Sequence, residues 1–217
     1  MKRRLLGVYD LLLACYGPQD WWPARGPFEV MVGAILAQST AWGNVEKAID
    51  RLREAGALSP AALRQAPFSE VARLVYPSGY FNAKARKLGA LAAFLGERWG
   101  DDLSRLFALG VAKLREELLS VFGIGEETAD SIILYAAHRP IFVIDAYTRR
   151  IMSRLGLGDA ADGYSSWQAL FMEHLPRDVA LFNEYHALLV LHGKEACRRL
   201  PRCGGCCLRQ GCSRPDR

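Results

Sequence analysis

The stretch Leu118–Arg150 reads LLSVFGIGEETADSIILYAAHRPIFVIDAYTRR, and its pattern decides the fold. It predicts a helix, a tight turn at FGIG, a second helix, a short extended link, and a third helix that opens at Asp145. In the turn, Gly123 and Gly125 can adopt left-handed backbone angles and let another backbone approach closely, while Ile124 anchors the loop from beneath. The unpaired amides and the dipole of the second helix then favour a phosphate. This is a helix-hairpin-helix pattern, although two helices that only pack together can share it.

Asp145 follows the apolar run Ile141–Ile144, so we expect it to emerge from the interior at the start of a helix. An aspartate in that position can cap the first amides of the helix. It can also present a carboxylate to a substrate. The two roles are compatible.

Together these residues resemble the helix-hairpin-helix DNA glycosylases of the endonuclease III superfamily, over nearly the whole chain. The resemblance implies that the turn Gly123–Gly125, with Ile124 at its centre, holds a DNA phosphate, and that Asp145 is the catalytic carboxylate. Bifunctional members carry a lysine just before the Thr-Ala pair of the second hairpin helix, where this chain has Glu127. A carboxylate cannot form an imine with a sugar. The resemblance therefore implies a monofunctional glycosylase that uses water and has no efficient lyase activity.

The composition indicates a globular protein that can have a polyanionic partner. The chain has 217 residues with 51% hydrophobic content, enough to bury one sizeable core or two small ones. Its formal net charge of +5 is compatible with a polyanionic partner. Three cations at Lys2–Arg4 precede an apolar run that ends at Cys15, as in a lipoprotein signal. Asp10 interrupts that run, and its periodicity favours an amphipathic helix instead.

The chain is expected to stay off the membrane. No stretch has the ~18 consecutive apolar residues that a spanning helix needs. We therefore expect a cytoplasmic, nucleoid-associated protein in which Cys15 is a buried thiol.

Three tryptophans lie close together in the N-terminal part of the sequence. Trp21 and Trp22 fall in a loop with Gly and Pro residues, and Trp42 follows an apolar segment, 28–39, that is predicted to form a buried helix. They can plug the joint between two helical layers, or form a stacking surface for a base.

Polar residues near these tryptophans are candidate DNA contacts. The resemblance implies that Gln38 enters the DNA beside the extruded nucleotide, and Ser39 or Thr40 could cap the following helix. It also implies that Tyr80 fills the gap left by the flipped base and that Lys84 lies beside the phosphates. A solvated helix start would account for the cation equally well.

Five of the six cysteines crowd into the C-terminal segment CRRLPRCGGCCLRQGC. In a cytoplasmic chain this favours a metal or iron–sulfur site over disulfides, with zinc as the default for four thiolates. The resemblance instead implies a [4Fe–4S] cluster held by Cys197, Cys203, Cys206 and Cys212. The first interval has five residues where the family has six, so Cys207 is an alternative ligand. The four histidines are expected to pack or cap.

No alternating β pattern of useful length occurs, so the chain is predicted to be all-α. The resemblance implies a two-lobed helix-hairpin-helix glycosylase fold. One domain is a six-helix barrel over residues 20–139 that contains the hairpin. The other is a discontinuous helical domain over 1–19 and 140–217 that carries the cysteine-ligated cluster loop.

The aromatic residues also indicate a substrate class. An N-alkylated purine is positively charged, and tryptophan faces attract it by cation–π contact, worth roughly 1 to 2 kcal/mol when desolvated. With Glu127 in the lysine position, the chain looks most like the endonuclease III-like 3-methyladenine DNA glycosylases. We therefore predict a monomer that flips alkylated purines out of double-stranded DNA and hydrolyses the glycosidic bond with Asp145. A glycosylase for uracil, mismatched or oxidised bases, or a non-catalytic DNA-binding module, are the alternatives.

Overall fold

A computed structural model describes residues 1–19 and 21–213. Within these ranges all regular structure is helical, which confirms the all-α prediction. The described residues contain no helix that is both long and apolar enough to cross a membrane. The chain divides into two compact units: a central unit, Ala24–Arg139, and a terminal unit that joins Met1–Pro23 to the segment from Pro140 onward.

The described residues form α-helices connected by loops and short turns. Short 3-10 turns occur at Tyr76–Ser78, Cys203–Gly205 and Arg209–Gly211. In chain order the α-helices are α1 (Lys2–Tyr16), α2 (Pro27–Leu36), α3 (Trp42–Glu54), α4 (Pro60–Gln65), α5 (Phe68–Leu74), α6 (Phe81–Trp99), α7 (Leu103–Phe107), α8 (Val111–Leu119), α9 (Glu126–Tyr135), α10 (Ala146–Arg154), α11 (Tyr164–Met172) and α12 (Val179–Glu195).

Helix α2 is the core of the central unit and packs against α3, α6 and α9. Pro27 suits the first helical position because its missing amide has no partner there in any helix. Glu29 is buried in this apolar helix, and its charge is compensated by Arg53, 3.0 Å away. The helix ends at Leu36, short of the predicted end at residue 39, because Ser39 adopts a left-handed φ of 54°.

The hairpin helices α8 and α9 pack against each other around the predicted turn. Arg115 of α8 binds the fully buried Asp130 of α9 at 2.7 Å, and it also contacts Glu126 at 3.2 Å. A buried carboxylate without that partner would cost several kcal/mol of folding free energy, roughly 3 to 5. The ion pair therefore fixes the hairpin as a unit.

The terminal unit is built on α12, which packs against α1 and α10. Phe142, from the predicted extended link, is fully buried and stacks on Phe171 with ring centroids 3.8 Å apart. The Tyr185 hydroxyl donates to the Leu5 carbonyl at 2.8 Å and so joins α12 to α1. Cys15, expected to be buried, is exposed near the end of α1. Because Phe142 and its neighbours are buried, the apolar link 141–144 runs through the interior, and the residue that follows it, Asp145, lies at the start of α10.

Candidate functional site

The two glycines of the hairpin turn differ in backbone conformation and in their surroundings. Gly123 has a φ of +85°, and a Cβ added there would lie 2.3 Å from Cγ of Lys87. Gly125 has an ordinary φ of −97°, and a Cβ there would meet nothing within 4 Å. Ile124 is 5% exposed and so anchors the turn from beneath, as predicted. Gly123 is thus required by the fold, whereas Gly125 leaves open space outside the turn, next to the first amides of α9.

Gln38 binds this turn from the loop after α2. Its side-chain amide donates to the Gly123 carbonyl at 3.0 Å and to the Thr128 hydroxyl at 2.9 Å. Its oxygen accepts a hydrogen bond from the Lys87 ammonium. Thr128 and Lys87 were not singled out by the sequence analysis, because no local pattern connects them with residue 38. The three side chains together hold the turn in place.

Tyr80 presents its ring to solvent from the start of α6. Its side chain is 75% exposed, and its φ of 45° is left-handed, although it is not glycine. That conformation costs about 1 to 2 kcal/mol for an L-residue. Such a conformation persists where the surroundings fix it, and it is common at binding sites. An exposed aromatic ring on a fixed backbone fits the predicted wedge.

Lys84 is buried, whereas the expected phosphate contact requires an exposed side chain. This side chain is 2% exposed. Its ammonium donates to the carbonyls of Leu36 at 2.8 Å and Ser78 at 2.6 Å. Burial, and then the nearby charge of Lys87, lowers the pKa of Lys84 to about 8. The expectation that Lys84 contacts phosphates is therefore wrong in this structure, where the ammonium is bound inside the protein.

The loop before α3 also differs from the expectation. Neither Ser39 nor Thr40 caps α3: Ala41 occupies the N-cap position, without a side-chain hydrogen bond. Ser39 is exposed, and the Thr40 hydroxyl donates to the Ser78 carbonyl instead. Thr40 therefore joins this loop to the segment that precedes Tyr80.

Asp145 caps α10, as the sequence predicts. One carboxylate oxygen, Oδ1, accepts a hydrogen bond from the Thr148 amide at 2.7 Å, and the residue is 8% exposed. The other oxygen lies 3.7 Å from Nε2 of His186. Burial lowers the pKa of His186, against the opposing effect of the Asp145 charge, and so favours the neutral imidazole. The cap thus uses one oxygen and leaves the second beside a neutral ring.

His186 was expected to be a packing group, and sequence reasoning missed its place beside Asp145. The two residues are far apart in the chain, on α12 and at the start of α10, and only the packing of those helices brings them together. No lysine or arginine of residues 1–19 and 21–213 forms an ion pair with Asp145. The charge of this carboxylate therefore has no cationic partner from those side chains.

The tryptophans belong to different units. Trp21 and Trp22 lie in the terminal unit, with ring centroids 6.2 Å apart and planes at 80°, and Trp42 begins α3 of the central unit. All three side chains are half-buried. The ammonium of Lys194 lies 5.6 Å from the centroid of the Trp21 ring. The face of Trp21 is thus in contact with a positive charge, while the aromatic box of three tryptophans stays a prediction.

The cysteine segment encloses a cavity next to α10. No group of three or more His, Cys, Asp or Glu side chains is arranged to hold a metal ion anywhere in the described ranges. Cys207 does not line the cavity, and burial followed by a hydrogen bond with Cys15 raises the pKa of Cys207 to about 12. The lining combines the four predicted ligands with arginine side chains: Cys197, Cys203, Cys206, Cys212, Arg154, Arg202 and Arg209.

Two arginines of α10 hold the cysteine segment. Arg150 donates to the carbonyls of Cys197 at 2.8 Å and Gly193 at 3.0 Å. Arg154 donates to the Cys197 sulfur at 3.2 Å and to the Arg198 carbonyl at 2.7 Å. Since Asp145 is the N-cap of α10, the cysteine segment is bonded directly to the helix that the candidate carboxylate caps.

Residues 32–177 match the HhH-GPD superfamily of base excision DNA repair proteins. The chain is 41% identical over 207 residues to a protein of Methanocaldococcus jannaschii whose name provisionally assigns it to the DNA repair glycosylases, and the match covers 94% of each chain.

Solved structures share the fold. A trapped endonuclease III–DNA covalent intermediate superposes with a TM-score of 0.86 at 22% identity, covering 99% of this chain and 97% of that one. The H. pylori 3-methyladenine DNA glycosylase bound to 1,N6-ethenoadenine gives 0.76 at 26% identity, covering 89% and 97%. The predicted resemblance to the endonuclease III superfamily is confirmed. The chain belongs to the HhH-GPD superfamily of base excision DNA repair proteins.

Proposed function

We propose that this DNA glycosylase removes N-alkylated purines of the 3-methyladenine type from double-stranded DNA by hydrolysis. The observation that carries the proposal is the environment of Asp145. Its Oδ1 is fixed by the Thr148 amide, and its Oδ2 lies beside His186, whose pKa is lowered by burial. A carboxylate held in this way keeps its orientation without help from a substrate.

The Asp145 carboxylate suits the chemistry of an alkylated purine. The base leaves as a neutral molecule, so its glycosidic bond breaks without a strong general acid. The sugar then develops oxocarbenium-like positive charge, which the Asp145 carboxylate stabilises electrostatically. The same carboxylate orients or deprotonates the attacking water, whose oxygen bonds to the sugar carbon as the base departs.

Glu127 supports a reaction through water. It lies exposed in the first turn of α9, where a carboxylate interacts favourably with the helix dipole. An amine at this point would allow an imine with the sugar and cleavage of the strand, which a carboxylate cannot support. The product is therefore an intact strand with an abasic site.

Trp21 supports the choice of base. In this structure its face already lies near the Lys194 ammonium, and a cationic alkylated purine offers the same kind of contact together with stacking. We propose that Trp21, Trp22 and Trp42 contribute to recognition of the flipped base. The likeness to the H. pylori 3-methyladenine DNA glycosylase at 26% identity favours the same substrate class.

The central unit supplies the proposed grip on DNA. The open space outside Gly125 and the first amides of α9 would hold a phosphate. Ile124 and Gly123 keep the turn in shape from inside. Tyr80 is the proposed wedge, since its exposed ring is held on a left-handed backbone. Gln38 would act beside Tyr80. Because Gln38 is hydrogen-bonded to the hairpin, the proposed wedge and the proposed phosphate site would belong to one surface.

The cysteine segment offers a donor set for a [4Fe–4S] cluster. In a cluster each thiolate binds a different iron, so four cysteines around one cavity are a suitable donor set. We propose that Cys197, Cys203, Cys206 and Cys212 hold the cluster. Its role is structural, because it fixes a segment bonded to α10.

Substitution of single cysteines tests this assignment. We expect Cys203→Ser to lose the iron, the sulfide and the brown colour, and to lower Tm by roughly 10 °C or more, because cluster binding contributes to folding free energy. Cys207→Ser is the matched control and is expected to keep all three, since Cys207 does not line the cavity. Zinc in place of iron in the purified wild type, or iron loss in Cys207→Ser alone, would contradict it.

An excision panel tests the proposed function. Duplexes are offered that carry methylated purines, uracil, a thymine mismatch or an oxidised pyrimidine, and released bases and strand breaks are measured separately. We expect release of the methylated purines at least about 100-fold faster than of the others, with strands that stay intact until heated in alkali. Borohydride should trap no protein–DNA adduct. Preference for another base would correct the substrate class, and trapping would contradict the hydrolytic mechanism.

A further inference from the structure

We propose that Lys84 is a positioning residue whose buried ammonium clamps together the loops that carry Gln38 and Tyr80, so that the exposed Tyr80 ring is held where it can open a base pair. The proposal rests on the proposed function, because it concerns how the same enzyme extrudes its substrate base. It replaces the expected phosphate contact of Lys84 with a role inside the protein.

The clamp is defined by two carbonyls. Leu36 is the last residue of α2 and stands two positions before Gln38, and its carbonyl accepts from Lys84 at 2.8 Å. Ser78 stands two positions before Tyr80, and its carbonyl accepts from Lys84 at 2.6 Å. One ammonium therefore joins the two loops directly. The Thr40 hydroxyl donates to the same Ser78 carbonyl and adds a second link between them.

Each loop contains a backbone conformation that needs such support. Ser39 has a φ of 54° and Tyr80 has a φ of 45°, and neither is glycine. Left-handed conformations of ordinary residues persist only where the surroundings fix them. In both loops the strained residue lies within three positions of a carbonyl that Lys84 binds. The clamp thus acts at the points where the two loops would otherwise relax.

The clamp continues into the hairpin. Gln38 donates to the Gly123 carbonyl and the Thr128 hydroxyl, while Lys87, one turn after Lys84 on α6, donates to the Gln38 oxygen. The loop fixed by Lys84 is therefore bonded to the turn proposed to hold a phosphate. Lys84 also joins this loop to the one that carries Tyr80. Loss of the clamp would therefore move the proposed wedge relative to the turn proposed to hold a phosphate, within the same central unit.

Burial of a charged side chain at position 84 is energetically unfavourable. No carboxylate of the described chain forms an ion pair with Lys84, and an unpaired buried charge opposes folding. The lowered pKa of Lys84, about 8, reflects that burial. A neutral amine still has two N–H groups for the two carbonyls, so the clamp survives deprotonation. What the position requires is thus a pair of donors at the end of a long side chain.

The test compares Lys84→Met with Lys113→Met, which removes an exposed lysine that pairs with Glu116 and Glu117 of its own helix and matches the change in charge. Base release is measured on a damaged base in a fully paired duplex and on the same base opposite an abasic site, where no pair has to be opened. We expect Lys84→Met to slow release from the paired duplex roughly 10- to 100-fold and from the abasic duplex less than about threefold. Lys113→Met should change neither.

The salt dependence of binding separates the clamp from a phosphate contact. Loss of a phosphate contact reduces the slope of log K against log salt by about 0.9, whereas Lys84→Met should leave the slope unchanged. A reduced slope, or an equal loss of release on both duplexes with an unchanged Tm, would overturn the clamp. If Lys84→Met fails to fold, Thr40→Val, which removes only the second link to Ser78, must still show a loss confined to the paired duplex.

Failure of the proposed function is distinguishable from failure of the clamp. If the wild type releases no alkylated purine, the function is wrong. Extrusion of 2-aminopurine from a paired duplex, followed by its fluorescence, then still compares wild type with Lys84→Met. Equal extrusion by the two proteins would overturn the clamp by itself.

Discussion

Asp145→Asn is expected to bind damaged duplex DNA as tightly as the wild type and to release the base about 10²- to 10⁴-fold more slowly. Asparagine caps a helix as well as aspartate does, so the bond to the Thr148 amide and the start of α10 are preserved. Only the negative charge beside the sugar is lost. Single-turnover release and equilibrium binding on the same duplex measure the two effects.

Asp102→Asn is the matched control. Asp102 also caps a helix, α7, with its side-chain oxygen on the Ser104 amide at 2.9 Å, but it lies in an exposed part of the central unit. The same chemical change there should leave release and Tm unchanged. Release by Asp145→Asn at the wild-type rate would remove Asp145 from the reaction.

Gly123→Ala is expected to weaken DNA binding by roughly 10- to 100-fold and to lower stability by about 2 kcal/mol or more. The φ of +85° is unfavourable for alanine, and the new Cβ would lie 2.3 Å from Cγ of Lys87. Relief of that clash displaces Lys87, and with it the hydrogen bond to Gln38. Binding is measured on undamaged duplex DNA, so that base recognition does not enter.

Two further glycine-to-alanine substitutions are compared with Gly123→Ala. Gly125→Ala has open space and an ordinary φ, so it should keep its stability and still lose affinity, because the methyl group occupies the space proposed for the phosphate. Gly89→Ala on α6 also meets nothing within 4 Å and should bind like the wild type. Unchanged affinity in both Gly123→Ala and Gly125→Ala would mean that the turn does not hold DNA.

The parts of the molecule that the sequence predicted well are local ones. The order of apolar residue, glycine, apolar residue and glycine determines both the turn and the burial of Ile124. An aspartate directly after a buried apolar run identifies the N-cap of α10. Each of these follows from neighbours in the chain, so no tertiary information was needed.

The burial of Lys84 could have been predicted but was not. It precedes Leu88 by four positions and Leu91 by seven, and both are fully buried. Helical periodicity therefore places it on the apolar face of α6. The interpretation as a phosphate ligand followed from the family resemblance, which took no account of that spacing.

His186 and Lys87 could not have been found in the sequence. His186 reaches Asp145 only through the packing of α12 against α10. Lys87 reaches Gln38 across the contact between α6 and α2. In both cases the partner is distant in the chain. The periodicity of α12 or α6 indicates at most that the side chain of His186 or Lys87 faces inward. Tertiary packing supplies the rest.

The most direct test of the central claim is chromatography of the bases freed from dimethyl sulfate-treated DNA by wild type and Asp145→Asn side by side. We predict free 3-methyladenine from the wild type, with the DNA strands unbroken, and almost none from the variant. Absence of methylated purines from the wild-type products, or equal amounts from the two proteins, would contradict the account.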